Sequence, residues 1–132
     1  MKNKSIVIVC GDPKSTFNEI LVKTLKNKFL KNIKFPIIII GSKKLLKNEF
    51  KKYKTKIHLH DFKSQTKLRK NNLYTIDIPL AQGKISLVEK NKYIAKSFTI
   101  GLNLLKKNNS FAMINGPISK TTFLKGKYDG VT

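Results

Sequence analysis

The chain has 132 residues and a mass of 15.1 kDa, room for one domain and hardly more. Hydrophobic residues make up 40% of it, enough for a packed core, which excludes disorder of the whole chain. The formal net charge is +21, and the single cysteine, Cys10, excludes an internal disulfide and fits a reducing cytoplasm.

The first apolar run is Ile6 to Val9, closed by Gly11-Asp12-Pro13, as expected of a strand buried on both faces. Phe17, Leu21, Leu25 and Phe29 then recur every fourth residue with Ile20 alongside, which predicts an apolar helix stripe. Thr16-Phe17-Asn18-Glu19 has the spacing of a capping box and would start that helix. Phe35 to Ile40 reads as a second buried strand stopped by Gly41, and Ser42 would cap a short helix carrying Leu45, Leu46 and Phe50. Ile57 and Leu59 alternate with His58 and His60, a third strand with one wetter face. Lys63 to Asn72 has no useful period and reads as a loop or a weak helix. Tyr74, Ile76 and Ile78 alternate up to Pro79, which suggests an edge strand.

After a connector containing Gly83, Tyr93, Ile94, Phe98, Leu102 and Leu105 mark a long helix with a basic carboxyl end. Phe111 to Ile114 is the last predicted strand, stopped by Asn115-Gly116-Pro117. A short helix from about Pro117 to Leu124 would follow, with proline in its first turn. Strands alternating with helices predict an α/β fold, a mostly parallel sheet with helices on both faces. None of the apolar runs approaches the ~20 residues of a membrane-spanning helix. The basic start, Met1 to Ser5, lacks the long apolar region of a secretory signal, so neither membrane nor export is expected.

The charge has two readings. One is a polyanionic partner, which would make the chain a small basic non-enzymatic module binding nucleic acid or an acidic partner. The other is a solvated lysine surface. Arg69 is the sole arginine, whereas phosphate and base-edge recognition favours the bidentate guanidinium. The lysines run from Lys2 to Lys127 without a block, and the joint excess of Lys, Asn and Ile is what AT-rich coding yields. The second reading therefore predicts no specific nucleic-acid partner, only weak nonspecific binding at low salt.

In parallel α/β sheets, ligands bind beyond the carboxyl ends of the strands. That rule selects Cys10 to Ser15 and Asn115 to Lys120. The first loop offers a carboxylate, Asp12, and backbone amides at a helix start, or else is an ordinary turn with Asp12 bonding local backbone. It is neither a dinucleotide fingerprint nor a phosphate-binding P-loop. In the second, Gly116 permits close backbone approach, Pro117 fixes the turn, and Lys120 can present a positive charge to a phosphate or carboxylate. His58 and His60 could share a metal, but a half-exposed strand face accounts for them as well. Cys10 is a candidate nucleophile or a small buried residue.

These loops carry a resemblance. Gly11-Asp12-Pro13 with Glu19-Ile20 resembles the G-D/E-P-x-G-I-G-P-E start of the 4-hydroxythreonine-4-phosphate dehydrogenase family of vitamin B6 (pyridoxine) biosynthesis. Leu80 to Ser86 with Ala95 resembles its G-x-x-S…A pattern. Asn115 to Lys120 resembles its T/N-G-P-x-x-K, and Gly130-Val131-Thr132 falls where the family has G-H-T-E. Ser15 to Asn18 stand in place of G-I-G-P, and Val131 stands in place of a substrate histidine. The resemblance implies an isocitrate/isopropylmalate dehydrogenase-like fold, a cytoplasmic homodimer, NAD or NADP as hydride acceptor, and a divalent metal (Zn, Mg or Co). It implies oxidation of 4-phosphohydroxy-L-threonine to the 2-amino-3-oxo acid, metal polarising the alcohol oxygen, with decarboxylation after. Asp12, Lys120 and Thr132 are the substrate-binding residues it implies. The family's metal ligands and most nucleotide contacts match nothing in these residues, so residues 1–132 would be one incomplete α/β domain, the amino-terminal portion of a longer enzyme, inactive alone.

Overall fold

A computed structural model describes residues 4–26, 32–107 and 110–118. The elements run β1 (Ser5–Val9), α1 (Phe17–Thr24), β2 (Ile37–Gly41), α2 (Lys43–Lys52), β3 (Leu59–Asp61), β4 (Leu73–Asp77), α3 (Leu87–Lys106) and β5 (Ser110–Asn115). The strands form one five-stranded sheet in the order β3-β4-β2-β1-β5, and every pairing is parallel. The α/β expectation holds.

A parallel sheet sandwiched between helices needs strands that are apolar on both faces. In β2 this is met by Ile37, Ile38, Ile39 and Ile40, each no more than 1% exposed. Ile37 and Ile39 point to the side of α1 and α2, among Leu21, Val22, Leu46 and Phe50. Ile38 and Ile40 point to the side of α3, among Tyr93, Ile94 and Leu104. Fully burying one such side chain is worth about 1.5–3 kcal/mol, so the strand at the centre of the sheet ties the two faces together.

Several expectations are corrected. β4 is an inner strand, between β3 and β2, because Pro79 follows its last rung and removes no ladder bond; the Ile78 amide before it still donates to the Gly41 carbonyl at 2.8 Å. The capping box does not form, since Thr16 makes no side-chain cap bond and Glu19 instead accepts from the Tyr53 hydroxyl. Ile20 is 57% exposed, and the buried stripe of α1 holds Asn18, Leu21 and Val22. The second strand starts at Ile37, leaving Phe35 largely outside the core.

On α3 the buried positions are Tyr93, Ile94, Ser97, Gly101 and Leu104, while Leu102 is exposed. The stripe centres on small residues because the helix lies close to the sheet. A Cβ at Gly101 would stand 2.8 Å from the Met113 sulfur and 3.0 Å from Val9 Cγ2. Ser42 does cap α2, accepting from the Leu45 amide at 3.3 Å, and Lys63 to Asn72 is irregular as expected. Phe29 and the predicted helix beyond Ile118 lie outside the described residues.

The order of strands creates a switch point. From β1 the chain moves outward through β2, and β5 later enters on the opposite side of β1. The connections diverge there, and in sheets of this kind ligands bind in the crevice beyond the carboxyl ends of the strands at such a point, here β1 and β5.

Candidate functional site

Both loops singled out in the sequence meet at this crevice. The Gly116 amide donates to the Val9 carbonyl at 2.7 Å, and the Asp12 amide donates to the Pro117 carbonyl at 2.9 Å. The contact is too close for side chains. A Cβ at Gly116 would sit 2.2 Å from the Cys10 carbonyl oxygen, and one at Gly11 would sit 2.7 Å from the Pro117 oxygen. Gly11 also has φ +76°, the left-handed region that glycine occupies without steric penalty. The two glycines are thus halves of one interlock.

Asp12 is held three ways. Its Oδ1 accepts from the Lys14 amide at 2.9 Å, closing a local turn of the kind aspartate favours. Its Oδ2 lies 3.3 Å from Lys90 Nζ on α3, with each side chain 19% exposed. Its backbone carbonyl accepts from the Ser15 amide and from the Ser15 hydroxyl. Both readings of Asp12 from sequence are therefore compatible with its position: it organises the turn, and it stands at the crevice. Lys90 was missed in the sequence, where nothing distinguishes it from its many neighbours in type. Asn18 was missed too. It is 8% exposed at the head of α1, and its Oδ1 has no hydrogen-bond partner among the described residues. Lys120 and Thr132 lie outside the described residues.

Beside the β1 loop a cavity of about 340 Å³ opens between Pro13-Lys14, the start of α2 and the connector after β4, with Lys14 and Lys44 among its walls. The amino end of α2 contributes little free donor capacity to it. The Ser42 amide donates to the Tyr93 hydroxyl at 2.7 Å and the Lys43 amide to Asp77 Oδ1 at 2.9 Å. Glu19 points elsewhere. The Tyr53 hydroxyl and then Lys23 hold its carboxyl below the usual range, on the outer side of α1 and α2.

Cys10, at the end of β1, is 2% exposed, and burial pushes its thiol up to about 12. A thiol kept neutral in this way is no nucleophile at physiological pH. The native state holds the thiol proton more tightly than the unfolded chain does. The resulting stability is complete below the ordinary thiol value of 9.0 and is lost as pH climbs from there to about 12. Denaturant melts between those pH values should show wild-type stability falling by up to ~1.4 kcal/mol per pH unit from this group. Cys10→Ala should have a shallower slope; identical slopes would refute the assignment.

Among the described residues no group of three or more His, Cys, Asp or Glu could hold a metal ion. His58 and His60 stack edge to face, with ring centroids 4.3 Å apart, far along the sheet from the crevice. No described helix is long and apolar enough to cross a membrane.

No protein-family model matches the sequence, and no curated protein matches it. Solved structures do match. The 4-hydroxythreonine-4-phosphate dehydrogenase from Klebsiella pneumoniae superposes with a TM-score of 0.75 at 21% identity, over 97% of this chain and 42% of its own. The enzyme of that name from Burkholderia phymatum gives 0.74 at 20% identity, over 99% of this chain and 42% of its own. The chain has the fold of the amino-terminal portion of these dehydrogenases. A Salmonella typhimurium protein provisionally given the same name agrees, with a TM-score of 0.72, 21% identity and 97% coverage. This chain spans 42% of the length of each dehydrogenase structure. The α/β fold expected from the sequence is the fold observed, and two of the motif segments, Gly11-Asp12-Pro13 and Asn115-Gly116-Pro117, lie at its switch point.

Proposed function

We propose that this chain is the amino-terminal portion of an oxidoreductase, one that oxidises 4-phosphohydroxy-L-threonine with NAD or NADP in pyridoxine biosynthesis. The carrying observation is the interlock of Gly11 with Gly116-Pro117. It brings Asp12 and the Asn115-Gly116-Pro117 turn to one crevice, at the switch point of a dehydrogenase-type sheet. In this reading Asp12 is a substrate-binding residue whose charge Lys90 balances, and Lys120 and Thr132 are the further substrate contacts. The substrate is a phosphorylated small molecule, for which Lys120 supplies positive charge. The nicotinamide supplies hydride acceptance when bound. The described residues form no metal site, so no step of the reaction is assigned to a metal held by them.

Residues 1–132 form one incomplete domain in this reading, and the complete protein is a cytoplasmic homodimer. Support comes from large apolar side chains left uncovered: Ile114 on the edge strand β5 is 52% exposed and Leu102 on α3 is 46% exposed. Further chain packed there would bury them.

The test is a chimera in which residues 1–132 replace the matching portion of the Klebsiella pneumoniae enzyme. With 4-phosphohydroxy-L-threonine and an added divalent metal, it should reduce NAD or NADP, whereas the 132-residue chain alone should not. Lys120→Met in the chimera should weaken substrate binding about tenfold or more, the loss of one charge-assisted contact. A folded chimera that neither binds nor oxidises the substrate would sink the reading.

A further inference from the structure

A second, larger cavity of about 620 Å³ lies at the other end of the sheet, between α2 and the β3–β4 connector. β1 and β3 are separated by β4 and β2, so this cavity stands on the order of 14 Å along the sheet from the crevice. It gathers the sole arginine, both histidines and several lysines of the chain. Lys43, Lys47, Lys67 and Arg69 line it against one carboxylate, Asp61, and that carboxylate is already paired with Lys43 at 2.6 Å. The Lys43 contact first, and the charges of Lys63 and Lys47 after it, hold the Asp61 carboxyl below its usual range. Four cations, Lys43, Lys47, Lys67 and Arg69, thus share one carboxylate on the cavity wall.

The wall carrying two of these cations is fixed rather than loose. Leu68, between Lys67 and Arg69, is 9% exposed and packs in the core under α3. The Tyr74 hydroxyl, on a side chain 3% exposed, accepts from the Arg69 amide at 2.8 Å and donates to the Lys67 carbonyl at 3.4 Å. The Lys63 amide donates to Thr66 Oγ1 at 2.7 Å and the Thr66 amide returns to the Lys63 carbonyl at 2.9 Å. The connector is therefore a stapled rim that presents Lys67 and Arg69 on either side of a buried anchor. Clustered cations around one concavity raise the local positive potential, and an anion would relieve their mutual repulsion.

We propose that this cavity is an anion site for a small molecule bearing a diphosphate group. A single phosphate carries about −1.5 to −2 charge at neutral pH, which leaves part of the cation excess unmatched. Two linked phosphates match it, and the planar arginine fork suits their oxygens. The cavity falls within the ~300–1,000 Å³ of ordinary small-ligand sites, which exceeds what a bare diphosphate fills. The exposed ring of His58 at its edge can stack on a base. The site is independent of the dehydrogenase reading, because it shares no residue with the crevice.

The test is calorimetric titration of the full chain at ~150 mM salt, where diffuse charge attraction is largely screened. The probes are inorganic pyrophosphate, ADP, inorganic phosphate and adenosine. Pyrophosphate and ADP should bind, with phosphate about tenfold or more weaker and adenosine silent. Equal affinities for pyrophosphate and ADP would assign the free diphosphate. Tighter ADP, weakened by His58→Ala, would assign a nucleotide. Arg69→Gln and Lys47→Gln, both at exposed positions, should each weaken pyrophosphate about tenfold with unchanged thermal melting, and Lys106→Gln on α3 should not. Absence of pyrophosphate binding, or equal weakening by Lys106→Gln, would overturn the proposal. So would a DNA duplex that binds at this salt and is not displaced by pyrophosphate.

Discussion

Gly116→Ala is expected to destabilise the fold by about 3 kcal/mol, the upper end of overpacking costs, read as a lower denaturant midpoint with unchanged slope. The new methyl would stand 2.2 Å from the Cys10 carbonyl oxygen and 2.8 Å from its carbon, with Phe17 Cδ2 at 3.0 Å on another side. Backbone on one side and an aromatic ring on the other leave no flexible atom to give way. The loops must separate, which loses the 2.7 Å bond from the Gly116 amide to Val9 and the 2.9 Å bond from Asp12 to Pro117. Gly83→Ala is the control. Its Cβ would meet nothing within 4 Å, so its cost is limited to the strain of φ +86°, about 1 kcal/mol. Equal losses for the two variants would mean that the interlock does not hold the crevice together. In the chimera, Gly116→Ala should also abolish substrate binding at temperatures where the protein stays folded.

Ile39→Ala should cost about 4 kcal/mol, within the range for large-to-small changes at fully buried sites. Ile39 is 0% exposed at the middle of β2, pairs in register with Ile8 on one side and Thr75 on the other, and faces Leu46 and Leu21. Neighbours fixed in strands on both sides cannot collapse into the cavity. Ile20→Ala makes the opposite statement. With Ile20 57% exposed, its loss should stay within about 0.5 kcal/mol. Chemical denaturation of the two variants would show whether Ile20 lies outside the core, contrary to its place beside the stripe predicted from the sequence.

Much of the frame was legible. β2 shows as an unbroken run of isoleucines because a strand covered on both faces has no polar position to offer, and the alternation of apolar runs with helical periods predicts the parallel sheet. Ser42 was readable as a cap because serine before a helical run satisfies an orphan amide whatever the tertiary setting. α1 and α3 were placed correctly, and Leu21, Leu25, Tyr93 and Ile94 are buried as expected, whereas Ile20 and Leu102 are exposed. On α3, the helix docks through Ser97 and Gly101, where closeness of backbone outweighs side-chain size. β4 looked like an edge because Pro79 is near, and only the ladder shows that the proline falls one residue past the last inward bond.

The site divides in the same way. The sequence by itself determined the α/β class, the two loops at strand ends, and the glycines and proline that fit such loops, because these follow from local sterics and from periodicity. Only the tertiary structure decided that the two loops lock together, that Lys90 pairs with Asp12, that Cys10 is sealed in the core, and that Arg69 and both histidines meet at one basic cavity. Those contacts join residues far apart in the chain: 105 positions separate Ser5 from Ser110, whose hydroxyls meet at 2.9 Å. Strand order brings such residues together, and no local pattern encodes it.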